Sequence, residues 1–263
     1  MALRSRHPFH LVDNSPWPVL SALFALGLTT GRVKFFYFNC PVVIGVAGLG
    51  LIIVSAQWWR DINREATLLG EHSQVVSLGI RWGMILFIIS EVFFFVSFFW
   101  AFFYSRLAPS PELGASWPPM GVIPFNPIRV PLLNRIILLA SGVSVTWRHH
   151  SVTSNNHSRA RSGLYITIIL GAYFTCLQGL EYWEAPFSFR DGAYGSVFFI
   201  ATGFHGLHVL VGTAFLFVSS CRITGGAFRF RHHTGLECAA WYWHFVDVVW
   251  LFLYLWIYVW GSN

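Results

Sequence analysis

Seven runs of apolar residues, each close to the length that crosses a lipid bilayer, limit what this 263-residue chain can fold into more than any other feature. A hydrocarbon core about 30 Å thick needs roughly 20 apolar residues of helix. Lipid offers no partner to a backbone N–H or C=O, so each crossing segment must satisfy its own backbone, as a helix does. The runs are approximately Trp17–Phe36, Pro41–Trp59, Ser77–Tyr104, Leu132–Trp147, Leu164–Trp183, Ala193–Cys221 and Leu236–Trp260, the fourth being the shortest. Only 11% of the residues are charged, against about a quarter in a soluble domain. Trp and Tyr gather near the ends of the runs, at headgroup depth. The fold expected is therefore an all-α integral membrane protein with seven transmembrane helices.

The connections carry loop signals. Ala108 to Pro131 is long and rich in Pro and Gly, while Arg148–Ser162 and Arg222–Gly235 are polar and basic. Arg60–His72 alternates charged and apolar residues and can carry a helix past the membrane surface. If the N-terminus faces inside, that side holds Arg4, Arg6, Arg60, Arg64, Arg81, Arg148, Arg159, Arg161, Arg222, Arg229 and Arg231. The other side holds Arg32, Lys34, Arg106, Arg129, Arg135 and Arg190. This imbalance favours the N-terminus inside and the C-terminus outside. The net charge of +6 is scattered between apolar segments rather than gathered on one face, so it does not read as a nucleic-acid surface. Cys40, Cys176, Cys221 and Cys238 lack Cys-x-x-Cys spacing and are expected to be reduced structural thiols. Met1–His10 has no apolar stretch with a cleavage site and does not read as a signal peptide. The absence of an internal repeat argues against a transporter built from inverted halves.

Several polar residues sit where apolar ones are expected. Glu91 lies more than about 10 Å along its helix from Arg81, deep in the third run. A bare carboxylate there is costly, so Glu91 is expected to be neutral or paired with a polar group such as Ser90 or a histidine. It reads either as a proton-active or gating carboxyl or as a plain interhelical hydrogen-bonding group. His205 and His208 share a helix face, as do His244 and Asp247, and Glu181 and Glu184 close the fifth run. A metal site in a helical bundle would place a His three residues after a Glu. Neither Glu181 nor Glu184 has one, so buried packing polar groups are the expected reading and no metal is assigned. His149, His150, His232 and His233, with His72 and His157, fall on the expected inner side. A histidine-cluster di-iron membrane oxygenase is the alternative they raise. They lack His-x-x-x-His or His-x-x-His-His spacing, and lipid headgroup contact fits better, with Trp58, Trp59, Arg60 and Arg64 at the same level and Arg222 beside His232 and His233.

Long motifs in order carry a resemblance over essentially the whole chain. They are His10–Pro18, Trp58-Trp59-Arg60-Asp61, Arg64-Glu65, the Glu91 segment through Phe98–Phe102, Leu107–Gly114, Trp117-Pro118-Pro119 and Ala140–Val143. After these come Glu184–Phe187, Ala201–His208 and Ala240–Phe252. The chain resembles subunit III of the haem-copper cytochrome c oxidases, most closely the mitochondrial form. Arg148 and Leu180 depart from the pattern, where smaller residues are expected.

The resemblance implies a two-helix pair, residues 1–72, splayed from a five-helix bundle, residues 73–263, with phospholipids held in the cleft. It implies no catalytic residue, metal or redox centre in this chain; haem a and copper belong to partner subunits. The main partner would be the catalytic subunit I, alongside other oxidase subunits and membrane lipid, with no nucleic acid. Placement would be multi-pass in the mitochondrial inner membrane, N-terminus in the matrix and C-terminus in the intermembrane space. Glu91 matches a buried glutamate near subunit I associated with oxygen delivery and proton uptake. Trp58, Trp59, Arg64, Glu65, His72, Arg222, His232 and His233 match lipid-headgroup positions. Glu181, His205, His208, His244 and Asp247 are left as buried packing groups.

Overall fold

A computed structural model describes residues 7–111, 114–153, 157–224 and 234–262, with side chains described except at 149–150, 152–153 and 157–160. Among the described residues the protein is helical, contains no strand, and has seven helices long and apolar enough to cross a membrane. They are α1 (Trp17–Phe38), α2 (Val42–Arg64), α3 (Gln74–Leu107), α4 (Val130–Thr153), α5 (His157–Trp183), α6 (Gly192–Thr224) and α7 (Thr234–Leu253). A π-helical turn, Glu65–Leu69, extends α2, and another, Tyr254–Trp260, extends α7. Most helices outrun their apolar cores because polar residues past the hydrocarbon edge still form helix; α4, expected over Leu132–Trp147, is an example. The chain divides into two compact units, Met1–Ile80 and Arg81–Asn263.

In the first unit, Pro16 and Pro18 open α1, where a missing N–H is no loss. Asn39 closes it in the left-handed region at φ 50°, its N–H bonded to the Phe35 carbonyl at 2.8 Å. Pro41 then starts α2, so three residues turn the chain into an antiparallel hairpin. Small residues let the two backbones approach: a Cβ on Gly31 would lie 2.8 Å from the Ile44 nitrogen, and one on Gly27 would lie 3.1 Å from Ala47 Cβ. Trp17 Nε1 donates to Asp61 Oδ2 at 2.9 Å and ties the open end together. Val19, Leu23, Leu26, Val46, Leu49 and Ile52 are exposed, as suits side chains that face lipid.

In the second unit, α7 is the buried element. Trp243, Val246, Trp250 and Leu253 are all at most 1% exposed. Trp243 is the hub: its Nε1 donates to Ser141 Oγ of α4 at 2.9 Å, and its ring lies over Gly171 of α5 and Gly212 of α6. Each neighbouring pair of helices also has a polar clasp. Ser144 and Thr167 hydroxyls join α4 to α5 at 2.7 Å, Tyr182 and Thr202 join α5 to α6 at 2.6 Å, and Arg81 Nε donates to Glu237 Oε2 at 2.8 Å between α3 and α7. Beyond that ion pair, α3 meets α7 and its π-helical extension through rings rather than through close backbone approach, with Phe99 against Trp256 at 5.0 Å and Phe103 against Trp256 at 4.9 Å. Edge-to-face rings of this kind pack well without a polar atom.

The two departures from the family pattern have different surroundings. Leu180 is exposed and has room for its size. Arg148 is fully buried, with Nε and Nη2 unpaired, and its Cβ lies 2.9 Å from where Gly163 would carry one, so a larger residue at 163 would not fit. Of the four cysteines only Cys238 is buried; Cys176 and Cys221, expected to be structural thiols, are exposed on the outward faces of α5 and α6.

Candidate functional site

The most chemically loaded contact in the bundle joins α3 to α6. Glu91 Oε2 lies 2.9 Å from His208 Nε2, with the two side chains 21% and 11% exposed. Ser90, the other partner the sequence offers, turns its hydroxyl back to the Phe87 carbonyl of its own helix. His208 Nδ1 lies 2.6 Å from the Phe204 carbonyl. A carbonyl only accepts, so Nδ1 carries a hydrogen. The remaining imidazole nitrogen and the carboxyl therefore share a single proton. Either a carboxylic acid donates to neutral imidazole, or imidazolium donates to carboxylate. Both forms have zero net charge, which avoids the penalty of an isolated ion inside a bilayer. Phe95, Tyr242 and Phe245 crowd the imidazole at ring separations of 5.2 to 6.2 Å. The site can hold a proton and pass it between two atoms.

His205 shares a helix face with His208 but points elsewhere. Its Nε2 donates to the Val246 carbonyl of α7 at 3.1 Å, and its ring packs on Trp250 at 4.9 Å and Phe174 at 5.6 Å. It is 1% exposed and has no second partner for Nδ1. Glu181 is 3% exposed beside Gln178 and Tyr258, without a hydrogen bond of good geometry, while Glu184 is exposed. His244 Nδ1 lies 3.9 Å from Asp247 Oδ2 within α7, and His244 Nε2 lies 3.2 Å from Thr146 Oγ1 on α4. Asp247 reaches α4 where Gly142 leaves space: a Cβ on Gly142 would sit 2.5 Å from Asp247 Oδ2. Gly142→Ala is therefore expected to destabilise the bundle by about 1–3 kcal/mol, the usual range for overpacking. Thermal unfolding in detergent measures it, and Asp247→Ala in the same chain should restore part of the loss.

The residues matched to lipid headgroups fall into four sets. Trp58, Arg64, Glu65 and His72 line a cavity of about 630 Å³ in the first unit, together with His10, Trp17 and Asp61. Trp59 is 64% exposed and points away from that cavity's lining. Arg222, half-buried at the end of α6, belongs to the second unit. His232 and His233, and the side chains of His149, His150 and His157, lie outside the described residues.

Two pairings escaped the reading of the sequence. The first is His208 as the particular partner of Glu91. Counting helix rise from Arg81 to Glu91 and from Arg222 back to His208 gives about 15 and about 21 Å, a similar depth that was the available signal. The second is His10, whose nearness to Glu65 and His72 depends on how α2 ends and has no local signature.

Comparison with known proteins gives the family. The family described as cytochrome c oxidase subunit III matches residues 7–262. The chain is 59% identical over 262 residues to cytochrome c oxidase subunit 3 of Drosophila melanogaster, covering 100% of both chains. It is 60% identical over 260 residues to that of Locusta migratoria, covering 98% of each, and 58% identical over 256 residues to that of Struthio camelus, covering 97% of this chain and 98% of the other. With a helical bundle, seven membrane-length helices and a match running from residue 7 to residue 262, the chain belongs to the cytochrome c oxidase subunit III family.

Proposed function

We propose that this chain is a non-catalytic subunit of cytochrome c oxidase in the mitochondrial inner membrane. In this reading it has its N-terminus in the matrix and its C-terminus in the intermembrane space. It packs against the catalytic subunit I, which carries haem a and copper, and contributes no redox centre of its own. Its work is to stabilise that core, retain phospholipid and sustain proton uptake while electrons pass from cytochrome c to oxygen.

The observation that carries the proton role is the 2.9 Å contact between Glu91 Oε2 and His208 Nε2. Because the pair is neutral overall whichever atom holds the proton, Glu91 can hand a proton to the imidazole and recover it without leaving a net charge. Phe95, Tyr242 and Phe245 pack on the imidazole and hold it in place for that exchange. Support for the lipid role comes from the exposed apolar faces of α1 and α2 and from the Trp58 and Arg64 side chains at one end of the hairpin. An indole edge and a guanidinium suit the ester and phosphate layers of a lipid.

Glu91→Gln tests the proton role in the assembled oxidase. The amide can still bond to His208 but cannot release a proton. The expected result is normal initial turnover with a shortened working lifetime under continuous electron supply. Unchanged turnover together with an unchanged lifetime removes Glu91 from any proton or gating role and leaves it an interhelical tie.

A further inference from the structure

We propose that His10, Glu65 and His72 form a three-ligand site for a divalent transition-metal ion of the Zn²⁺ class. His10 comes from the segment ahead of α1, Glu65 from the π-helical turn that extends α2, and His72 from the link into α3. One ligand atom from each lies within 4.8 Å of the other two. All three side chains are half-buried in the wall of the same cavity in the first unit.

The spacing is that of an ion pair or of two ligands on one ion rather than of a hydrogen bond. His10 Nε2 and Glu65 Oε2 are 3.6 Å apart, too far for a hydrogen bond. Ligand atoms about 2.0–2.1 Å from a tetrahedral ion stand about 3.3 Å from one another. The contact is therefore close to the edge of such a tetrahedron and needs only a small contraction. The His10 and His72 rings meet edge to face, 5.6 Å apart and inclined at 60°, an arrangement that brings a nitrogen of each within 4.8 Å of the other and of the carboxylate.

The backbone holds the ligands together without help from an ion. Gly70, in the left-handed region at φ 70°, donates its N–H to the Glu65 carbonyl, and Glu71 N–H reaches the same oxygen at 3.2 Å. That turn carries His72 back over Glu65. Ser73 Oγ then donates to the Pro8 carbonyl, which fixes the His10 segment against the same turn. Two imidazoles and a carboxylate are the donors that Zn²⁺ and its neighbours prefer, and three protein ligands leave a fourth position open. A phosphate oxygen from a headgroup near Arg64 is suited to that position. The ion would clip the segment ahead of α1 onto the link between α2 and α3.

The test uses the assembled oxidase, stripped with a chelator and dialysed against radioactive Zn²⁺. Wild-type complex is expected to bind one more Zn²⁺ than complexes carrying His10→Gln or His72→Gln. Loss of an outer-shell partner alone weakens metal sites about 10–100-fold, so loss of a ligand is expected to exceed about 100-fold. Asp61→Asn, which alters the cavity wall without removing a ligand, should bind as wild type. The X-ray absorption difference between wild type and His10→Gln should show two imidazole nitrogens and a carboxylate oxygen. Because His10 lies outside every helix, His10→Gln decides the matter even if His72→Gln fails to assemble. Equal Zn²⁺ in wild type and His10→Gln overturns the site. So does an equal loss in Asp61→Asn, which would mean that the charge of the cavity, not a ligand set, attracts the ion.

Discussion

Trp243→Ala is expected to cost the bundle about 3–5 kcal/mol, the range for removing a fully buried large aromatic side chain. Trp243 is 0% exposed and touches three other helices, so its loss opens a cavity that α4, α5 and α6 cannot fill together. It also leaves the Ser141 hydroxyl without its indole partner. The measurement is the amount of this chain recovered in detergent-purified oxidase, with the temperature at which it dissociates. Trp243→Phe keeps most of the ring volume and should lose markedly less. Equal recovery of wild type and Trp243→Ala would mean that the bundle is held by its neighbours in the complex rather than by its own centre.

Gly171→Val is expected to be at least as damaging, about 3 kcal/mol or more, through the opposite defect. A Cβ at 171 would stand 2.6 Å from Trp243 Cη2 and 2.8 Å from Thr213 Oγ1, with two further methyl groups beyond it. The indole is pinned by its hydrogen bond to Ser141 and by Gly212 on its other face, and the Thr213 hydroxyl is held by the Val209 carbonyl at 2.8 Å. Overpacking normally costs about 1–3 kcal/mol where something can yield. A double-mutant cycle separates this clash from a general weakness of α5. Gly171→Ala combined with Trp243→Phe should lose less than the sum of the single changes, since residues in contact do not add. Strict additivity would place the damage elsewhere in α5.

Much of this architecture is legible in the chain because hydropathy is a local property. Seven apolar runs name seven helices without any knowledge of neighbours. The ends are less legible: α4 continues through Arg148 to Thr153 because hydropathy stops at the arginine while helix propensity does not. The need for a partner at Glu91 is also local, since a carboxyl in hydrocarbon has few options. Choosing His208 over His205 is not, because both occupy one face of α6 and only the rotation of that helix sends one to α3 and the other to α7. Gly142, Gly171 and Gly212 are opaque for the same reason. As letters they look like soft positions in an apolar helix, and their meaning lies in a carboxylate and an indole arriving from far along the chain. The cavity beside His10 depends on a π-helical turn and a left-handed glycine at the end of α2, features that no periodicity announces.

The burial of α7 bears on how the protein is made. A ribosome delivers α3, α4, α5 and α6 to the membrane before α7, yet the Trp243 indole that fills their centre and the partners of the His205 imidazole and the Arg81 guanidinium all lie on α7. Until residue 234 emerges, these helices are threaded through the bilayer around a centre that has not been synthesised. Docking of α7 is then the step that closes the bundle, so a chain cut before residue 234 has helices in the membrane but no centre for them to close on.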